Sequence, residues 1–186
     1  MNPRDKWNTK HTDRMNQIDK PIPNARLTSL SGYLTGGSAL DLACGLGGNS
    51  FHLGRLNYQV ESVDISNIAI NYIIEQSIKE QLQIIPQQSD LTELNALQFN
   101  NNSFNLVVIT YYLDRSIFPF VKSIIKEKGY FFMETFCNFP QIENQGVSNQ
   151  YKLRSNELLA EFSNWKVLFF EENEQEGRQT IFCQKL

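Results

Sequence analysis

A short apolar segment followed by a glycine-rich turn is the feature that most constrains how this chain can fold. Residues 39–43 are apolar except for Asp41, residues 45–48 include three glycines, and the apolar residues of 51–56 recur at helical spacing. A strand, a glycine turn and a helix in this order open a nucleotide-binding βαβ unit. Glycine lets the backbone adopt positive φ and approach a ligand closely, and the N–H groups at the start of the helix then face that ligand.

Two acidic residues near this turn make the prediction more specific. Asp41 lies inside the first strand, where a carboxylate is costly unless it is paired or hydrogen-bonded. It therefore predicts a polar or cationic ligand group nearby, or a structural role in bonding backbone N–H groups. Asp64 ends the next apolar run and lies about 20 residues after Gly45, where an acid binds a ribose hydroxyl. The alternative for Asp64 is a favourable interaction with the dipole of the next helix.

Length and composition indicate one globular domain, residues 1–186. A net charge of −3 and a pI of about 5.4 argue against nucleic-acid binding, which needs a basic surface. No apolar run is long enough to span a membrane and the N-terminus is polar, so we expect a cytoplasmic protein without a membrane partner. Three cysteines fit a reducing compartment, and with no Cys/His cluster we expect no metal site.

The remaining segments suggest where an active site would lie. Residues 1–24 are either a partly ordered arm or a lid helix over the site that carries Trp7, His11 and Arg14. Pro86 places the third strand at the edge of the sheet. Residues 106–110 have the pattern of a buried central strand, whose carboxyl end is where ligands bind in open α/β sheets. The other predicted elements are a helix over 117–126 capped by Ser116, a strand over 130–134, a long loop over 136–152 and a terminal hairpin over 165–184.

These motifs resemble those of class I S-adenosylmethionine-dependent methyltransferases. Residues 40–47 are similar to their motif I, residues 62–66 to the acidic motif that follows, and residues 89–91 to the third motif. Shorter pieces resemble small tellurite-resistance-type methyltransferases, at residues 5–8, 111–115, 134–136 and 157–159. The resemblance implies an α/β fold: a Rossmann-like doubly wound sheet of about seven strands, mostly parallel with an antiparallel last strand, and helices on both faces.

The resemblance also implies the cofactor S-adenosylmethionine and a set of residues that bind it. Gly45 and Gly47 would line its methionine part, so that a side chain at Gly47 would occupy the cofactor's own volume. Asp41 would lie near the ammonium group, Asp64 would bind the ribose, and Asp90 would meet the adenine unless it is only a helix cap. The full implied set is Asp41, Ala43, Gly45, Gly47, Asn49, Asp64, Ile65, Asp90, Leu91 and Thr110.

The methyl acceptor is expected to be a small molecule, a thiol or a chalcogen oxyanion by resemblance. The candidate catalytic residues are Tyr111, Arg115 and His11. Adjacent residues in an extended stretch point in opposite directions, so one of Tyr111 and Tyr112 should face the site, where its ring can attract a sulfonium. Arg115 either binds an anionic acceptor or pairs with Asp114. We expect these residues, the N-terminal arm and the 136–152 loop to form a small pocket.

The sequence also bears on four other functions. A nicotinamide-dependent oxidoreductase would share the glycine turn and Asp64, but Asp41, the missing third glycine and the terminal hairpin argue against it. A cofactor-binding module without catalysis stays open. No GxxxxGK sequence occurs, which disfavours a nucleoside triphosphatase. The segment from Thr110 to Leu113 is not the Asn/Asp-Pro-Pro-aromatic motif of enzymes that methylate bases, which disfavours a nucleic-acid substrate.

Overall fold

The computed structural model describes residues 2–17, 20–142 and 146–186. The chain divides into two compact units, Met1–Gln98 and Phe99–Leu186. Seven strands form a sheet in the order β3-β2-β1-β4-β5-β7-β6. The β1–β2, β2–β3 and β4–β5 pairs are parallel, whereas β7 is antiparallel to both β5 and β6. The expected α/β class, with a mostly parallel sheet and an antiparallel terminal hairpin, is confirmed.

The described residues of the first unit form three parallel strands and four α-helices. Pro86 lies in β3 at the edge of the sheet as expected, because a proline there removes no hydrogen bond from a central ladder. Parallel pairing of β1 with β2 brings Asp41 opposite Ser62, which prepares the polar contacts described below. The elements are α1 (Pro3–Met15), α2 (Ala25–Ser29), β1 (Gly37–Leu42), α3 (Gly48–Arg55), β2 (Tyr58–Asp64), α4 (Asn67–Glu80) and β3 (Ile84–Gln88).

The N-terminal segment forms a helix rather than a partly ordered arm. The side chain of Asn2 accepts the N–H of Asp5, and a proline occupies the first turn of α1, two features that favour a helix start. The helix packs against α4. Ser66 donates a 2.7 Å hydrogen bond to Oδ1 of Asn8, and Nδ2 of Asn8 donates to Oδ1 of Asn67 at 2.9 Å. Asn8 thereby anchors α1 beside the end of β2.

The part of the second unit that the structure describes forms the other four strands and two α-helices. The strand that contains residues 106–109 is fully buried there, as its run of apolar and β-branched residues predicts. The elements are β4 (Phe104–Thr110), α5 (Ile117–Ile124), β5 (Ile125–Phe136), α6 (Glu157–Glu161), β6 (Lys166–Asn173) and β7 (Arg178–Gln184). Part of the predicted 136–152 loop, residues 143–145, lies outside the described residues.

Two local predictions in this unit are wrong. The helix α5 ends at Ile124 and β5 begins at the next residue, because Ile125 is already extended and pairs with Phe104 in the sheet instead of continuing the helix. Ser116 makes no side-chain capping bond. Its N–H and its hydroxyl both donate to Oδ1 of Asp114, at 2.9 and 2.7 Å, so the turn is held by the aspartate instead.

Candidate active site

The glycine turn crosses from the end of β1 to the start of α3 through backbone conformations that favour glycine. Ala43, Gly45 and Gly47 have φ values of +55°, +53° and +81°. The N–H of Cys44 donates to the carbonyl of Val63 at 3.0 Å, which ties the turn to the end of β2. Glycine adopts such φ values at little cost, so the sequence can form this tight turn beside the strand ends.

Asp64 is held beside the turn by two backbone N–H groups. Its Oδ2 accepts from Gly45 and its Oδ1 accepts from Ser66, both at 2.8 Å. The residue is 6% exposed. Because each carboxylate oxygen can accept more than one hydrogen bond, the carboxylate can hold the turn and still bind hydroxyl groups of a ligand.

His11 of α1 covers both Gly45 and Asp64. Nε2 of His11 lies 3.9 Å from Oδ1 of Asp64, and a Cβ atom added to Gly45 would come within 3.2 Å of Cε1 of His11. His11 is 2% exposed, and its Nδ1 has no hydrogen-bond partner among the described residues. Burial lowers the pKa of His11, which Asp64 opposes and which Arg14 and Lys10 reinforce. His11 therefore places α1 against Gly45 and Asp64 within the first unit.

Asp41 lies beneath the turn rather than on its surface. Ser50 donates a 2.6 Å hydrogen bond to Oδ2 of Asp41, and Ser62 donates to Ser50 at 2.8 Å. Oδ1 of Asp41 has no partner among the residues that the structure describes. Complete burial raises the pKa of Asp41 to about 7, against the opposing effect of the hydrogen bond from Ser50. The side chain is thus a buried carboxyl with one unsatisfied oxygen, a costly arrangement without a compensating group.

We expected a side chain at Gly47 to occupy the volume of the cofactor, but in the structure it would collide with the protein itself. A Cβ atom there would lie 2.8 Å from Cγ1 of Ile73 and 3.1 Å from Cε2 of Phe51. The space is therefore filled by the protein's own core rather than left for a ligand. Ile73 belongs to α4, and the sequence alone does not show that this helix packs against the turn.

The resemblance implied that further residues bind the cofactor, and two of these, Asn49 and Asp90, make hydrogen bonds within the protein. Oδ1 of Asn49 accepts the N–H of Asn24 at 2.8 Å. Asp90 accepts the N–H and the hydroxyl of Thr92 at 2.9 and 2.8 Å, which makes it a turn residue with no α-helix directly after it. Leu91 is buried, whereas Ala43, Ile65 and Thr110 are half-buried. Of the implied set, only Thr110 lies in the second unit.

The second unit brings together a tyrosine, a glutamate and an arginine from three different strand ends. Tyr111 directly follows β4, and its hydroxyl donates to Oε1 of Glu134 at 2.8 Å. Arg178 donates to the same hydroxyl and lies 3.4 Å from Oε1 of Glu134. Thr180 donates to Oε2 of Glu134 at 2.9 Å. We call these four residues the tyrosine cluster.

Glu134 and Arg178 were not recognised as site residues from the sequence. The available signal was an acid directly after the apolar run Phe131–Met133 of β5, because such a residue is expected to be buried and therefore paired. Arg178 carried no local signal. It reaches Glu134 only because β7 pairs with β5 in the sheet.

Arg115 does not have either of its two expected roles. Its Nε and Nη2 donate to the carboxylate of Glu157 at 2.5 and 2.9 Å, and further bonds reach the carbonyls of Gln150 and Lys152 at 3.2 and 3.1 Å. The hydrogen bond from Arg115 and the positive charge outweigh partial burial and lower the pKa of Glu157. Arg115 thus holds the segment before α6 in place. Its guanidinium pairs with Glu157 and not with Asp114, and these bonds occupy donors that an anion would need.

Within residues 2–17, 20–142 and 146–186, no group of three or more His, Cys, Asp or Glu residues is arranged to hold a metal ion. In the same ranges no helix has the length and apolar character needed to cross a membrane. The three cysteines are buried and unpaired with one another.

The strand order, the antiparallel β7 and an acid at the end of β2 beside a glycine turn define a Rossmann-like methyltransferase fold. Comparison with known proteins identifies the family. A family model described as Tellurite resistance protein TehB matches residues 24–181, and the chain therefore belongs to the TehB family.

Individual relatives agree with this assignment. The chain is 28% identical over 145 residues to a protein of Haemophilus influenzae named probable S-adenosyl-L-methionine-dependent methyltransferase TehB, covering 76% of this chain and 50% of that one. The chain thus spans about half the length of the curated relatives it matches. The crystal structure of TehB from Haemophilus influenzae superposes with a TM-score of 0.77 at 21% identity, over 92% of this chain and 65% of that chain. The crystal structure of a SAM-dependent methyltransferase from Aquifex aeolicus superposes with a TM-score of 0.69 at 13% identity, over 94% of this chain and 98% of that chain.

Proposed function

We propose that this protein transfers a methyl group from S-adenosylmethionine to a small acceptor. The observation that carries the proposal is the position of Asp64, which two backbone N–H groups hold beside the glycine turn while His11 covers it. Family membership and the names of the relatives support the same activity. The bound cofactor supplies a methyl group on a sulfonium, which is already a good leaving group.

The first unit contains groups that fit this cofactor. Asp64 would bind the ribose hydroxyls, and the backbone at Ala43 and Gly45 would lie along the methionine part. The unsatisfied Oδ1 of Asp41 suits a cationic group nearby, because a positive charge offsets the cost of ionising a buried carboxyl. The further candidates for cofactor contacts are Gly47, Asn49, Ile65, Asp90, Leu91 and Thr110. Because the sulfonium is already a good leaving group, the main task of the protein is alignment of the reactants and exclusion of water.

The acceptor side of the proposal rests on the tyrosine cluster. Tyr111 remains a candidate catalytic residue, since its ring is exposed and its hydroxyl is held by Glu134 and Arg178. His11 remains a candidate through the covering helix, whereas the bonds of Arg115 leave it a structural role. A thiol or a chalcogen oxyanion is the expected class of acceptor. We also expect a cytoplasmic protein. Because the net charge is −3, we expect no nucleic-acid partner.

The alternatives differ in their ligand and in turnover. An oxidoreductase would bind NAD and not S-adenosylhomocysteine. A binding module without catalysis would bind the cofactor tightly and methylate nothing in a broad acceptor panel. The antiparallel β7 argues against the oxidoreductase, because a dehydrogenase sheet is normally parallel to its end.

Calorimetric titration with S-adenosylmethionine, S-adenosylhomocysteine and NAD tests the proposal. We expect the first two to bind, and Asp64→Ala to weaken binding by about 1.5–3 kcal/mol through loss of charge-assisted hydrogen bonds. Glu75→Ala, which removes an exposed acid from α4, is the matched control and should bind normally. Because Asp64 also holds the turn, the melting temperature of each variant must be measured. Binding of NAD alone would replace the proposal, and unchanged affinity in folded Asp64→Ala would remove Asp64 from the site.

A further inference from the structure

We propose that Lys152 binds the negative charge of a small oxyanion within the second unit. The inference deepens the proposed function by naming a residue for the oxyanion class, and it rests on that proposal for the identity of the anion. It is carried by the burial of Lys152, by the lack of a partner for its ammonium among the described residues, and by a backbone register that places it beside the tyrosine cluster.

Lys152 is a buried lysine without a charged partner. It is 7% exposed, although lysine is seldom buried unless it is paired. No ion pair or hydrogen bond joins its ammonium to any residue that the structure describes. The ammonium nitrogen is not fully enclosed, so a ligand from solvent can reach it. The apolar stem is thus buried while the charged end remains available.

The backbone of Lys152 is fixed by neighbouring groups. Nη2 of Arg115 donates to the carbonyl of Lys152 at 3.1 Å, and Nη1 donates to the carbonyl of Gln150 at 3.2 Å. The guanidinium is itself anchored on Glu157. The N–H of Lys152 donates to the carbonyl of Asn149 at 3.1 Å. Because this segment is already ordered, binding of a ligand loses little backbone entropy.

The pairing of the next residue determines the direction of the lysine side chain. Leu153 forms a parallel bridge with Cys137, and both are fully buried. In this bridge the N–H of Leu153 donates to the carbonyl of Phe136 at 2.8 Å. Lys152 is extended, with φ of −113° and ψ of 141°. Since side chains alternate along an extended chain, Lys152 and Phe136 share the face opposite to Leu153 and Cys137.

The same face carries the tyrosine cluster. Phe136 pairs with Arg178 of β7, and its ring centroid lies 5.8 Å from that of Tyr111. Lys152 and Arg178 therefore flank Phe136. The charge of Arg178 is offset by Glu134 at 3.4 Å, whereas no described residue forms an ion pair with Lys152. This group of side chains thus has one positive charge that the protein does not offset.

The chemistry of this group favours a ligand with one negative charge. A lysine ammonium is a compact charge with three donors, which suits the oxygens of a small oxyanion. Nε of Arg178 is enclosed and has no partner among the described residues, so it offers another donor on this face. A neutral molecule of the same shape could accept a hydrogen bond but would gain no ion pairing.

The test compares an anion with a neutral molecule of similar shape. Methanesulfinate and dimethyl sulfoxide are both pyramidal at sulfur and differ by one negative charge. Their affinities are measured at pH 7 by titration of the protein's amide NMR signals. Lys152→Met keeps the stem and removes the charge, so it should weaken methanesulfinate binding about 10- to 100-fold, the range of a charge-assisted hydrogen bond. Binding of dimethyl sulfoxide should stay unchanged.

Further variants separate charge from structure. Lys152→Arg should restore most of the methanesulfinate affinity because it restores the charge. Lys166→Met, the same change at an exposed lysine of β6, should bind both probes as the wild type does. Lys152→Gln provides a second neutral variant if Lys152→Met has a lowered melting temperature.

Three results would overturn the inference. These are equal weakening of both probes, unchanged methanesulfinate affinity in a folded neutral variant, and a wild type that does not bind methanesulfinate. Calorimetric titration with S-adenosylhomocysteine separates this failure from that of the proposed function. Cofactor binding without anion binding would remove only the anion site. Anion binding that depends on Lys152, without cofactor binding, would refute the proposed function and leave the anion site in place.

Discussion

At the scale of single residues, the site in the first unit depends on which groups donate hydrogen bonds to the carboxylates of Asp41 and Asp64. Asp64 accepts two backbone N–H bonds and is buried beneath His11. Asp41 is completely buried, has one serine donor and keeps one unsatisfied oxygen. Burial raises the pKa of Asp41, so we expect this carboxyl to make the protein's stability depend on pH near neutrality.

The raised pKa of Asp41 predicts that stability falls as pH rises. Below about pH 4 the carboxyl is protonated in both states. Between pH 4 and the native pKa of about 7, only the unfolded state loses its proton, so the free energy of unfolding falls by about 1.4 kcal/mol per pH unit, or about 4 kcal/mol in all, and levels off above pH 7. Asp41→Asn should remove this fall.

Urea unfolding of the wild type and Asp41→Asn at pH 5 and pH 8 measures the effect. The variant should gain stability relative to the wild type between these values, and Asp13→Asn, an exposed acid on α1, should not. Parallel pH dependences of wild type and Asp41→Asn would mean that Asp41 is already ionised at pH 5.

At the scale of elements, α1 carries the covering residues of the first unit. Its anchors are two hydrogen bonds through Asn8 and the packing of His11 over Gly45 and Asp64. A helix with few anchors can open and close without disturbing the sheet. The segment that Arg115 fastens before α6 is held by four hydrogen bonds and lacks that freedom.

Deletion of residues 1–18 should therefore leave much of the cofactor binding and abolish most turnover, because closure excludes water and positions the acceptor. The measurements are calorimetric affinity for S-adenosylhomocysteine and its rate of release with a methylated acceptor. Asn8→Ala, which removes both polar anchors but keeps His11, should give an intermediate loss. A truncated protein with full activity would show that α1 has no part in turnover.

At the scale of the whole molecule, the chain contains two compact units. The sequence-based prediction of a single domain over residues 1–186 remains a proposal. It implies that the two units unfold together in one cooperative transition, as single small domains usually do.

The two tryptophans allow a direct test, since Trp7 lies in the first unit and Trp165 in the second. Trp7→Phe leaves only the fluorescence of the second unit, and Trp165→Phe leaves only that of the first. In each variant we expect the fluorescence transition in urea to coincide with the loss of circular dichroism. Separate midpoints for the two probes within a variant would mean that the units unfold independently and that the chain has two domains.

Short-range patterns determined the fold class, the strand and helix order, the edge position of β3 and the residues of the glycine turn. These depend on periodicity, on proline and on glycine, whose effects act within a few residues along the chain. Asp64 could be identified as well, because its distance from Gly45 along the sequence is set by the length of one helix and one strand. The family resemblance rested on the same motifs and is confirmed.

Contacts between distant segments were decided by the tertiary structure alone. Whether Gly47 leaves room for a ligand or for Ile73, whether Arg115 meets Asp114 or Glu157, and whether Glu134 meets Arg178 all depend on how helices pack and which strands pair. The burial that raises the pKa of Asp41 likewise comes from the whole core around it. Sequence position carries little information about such partners, because packing free energy depends on neighbours in space, and these are defined only once the sheet has formed.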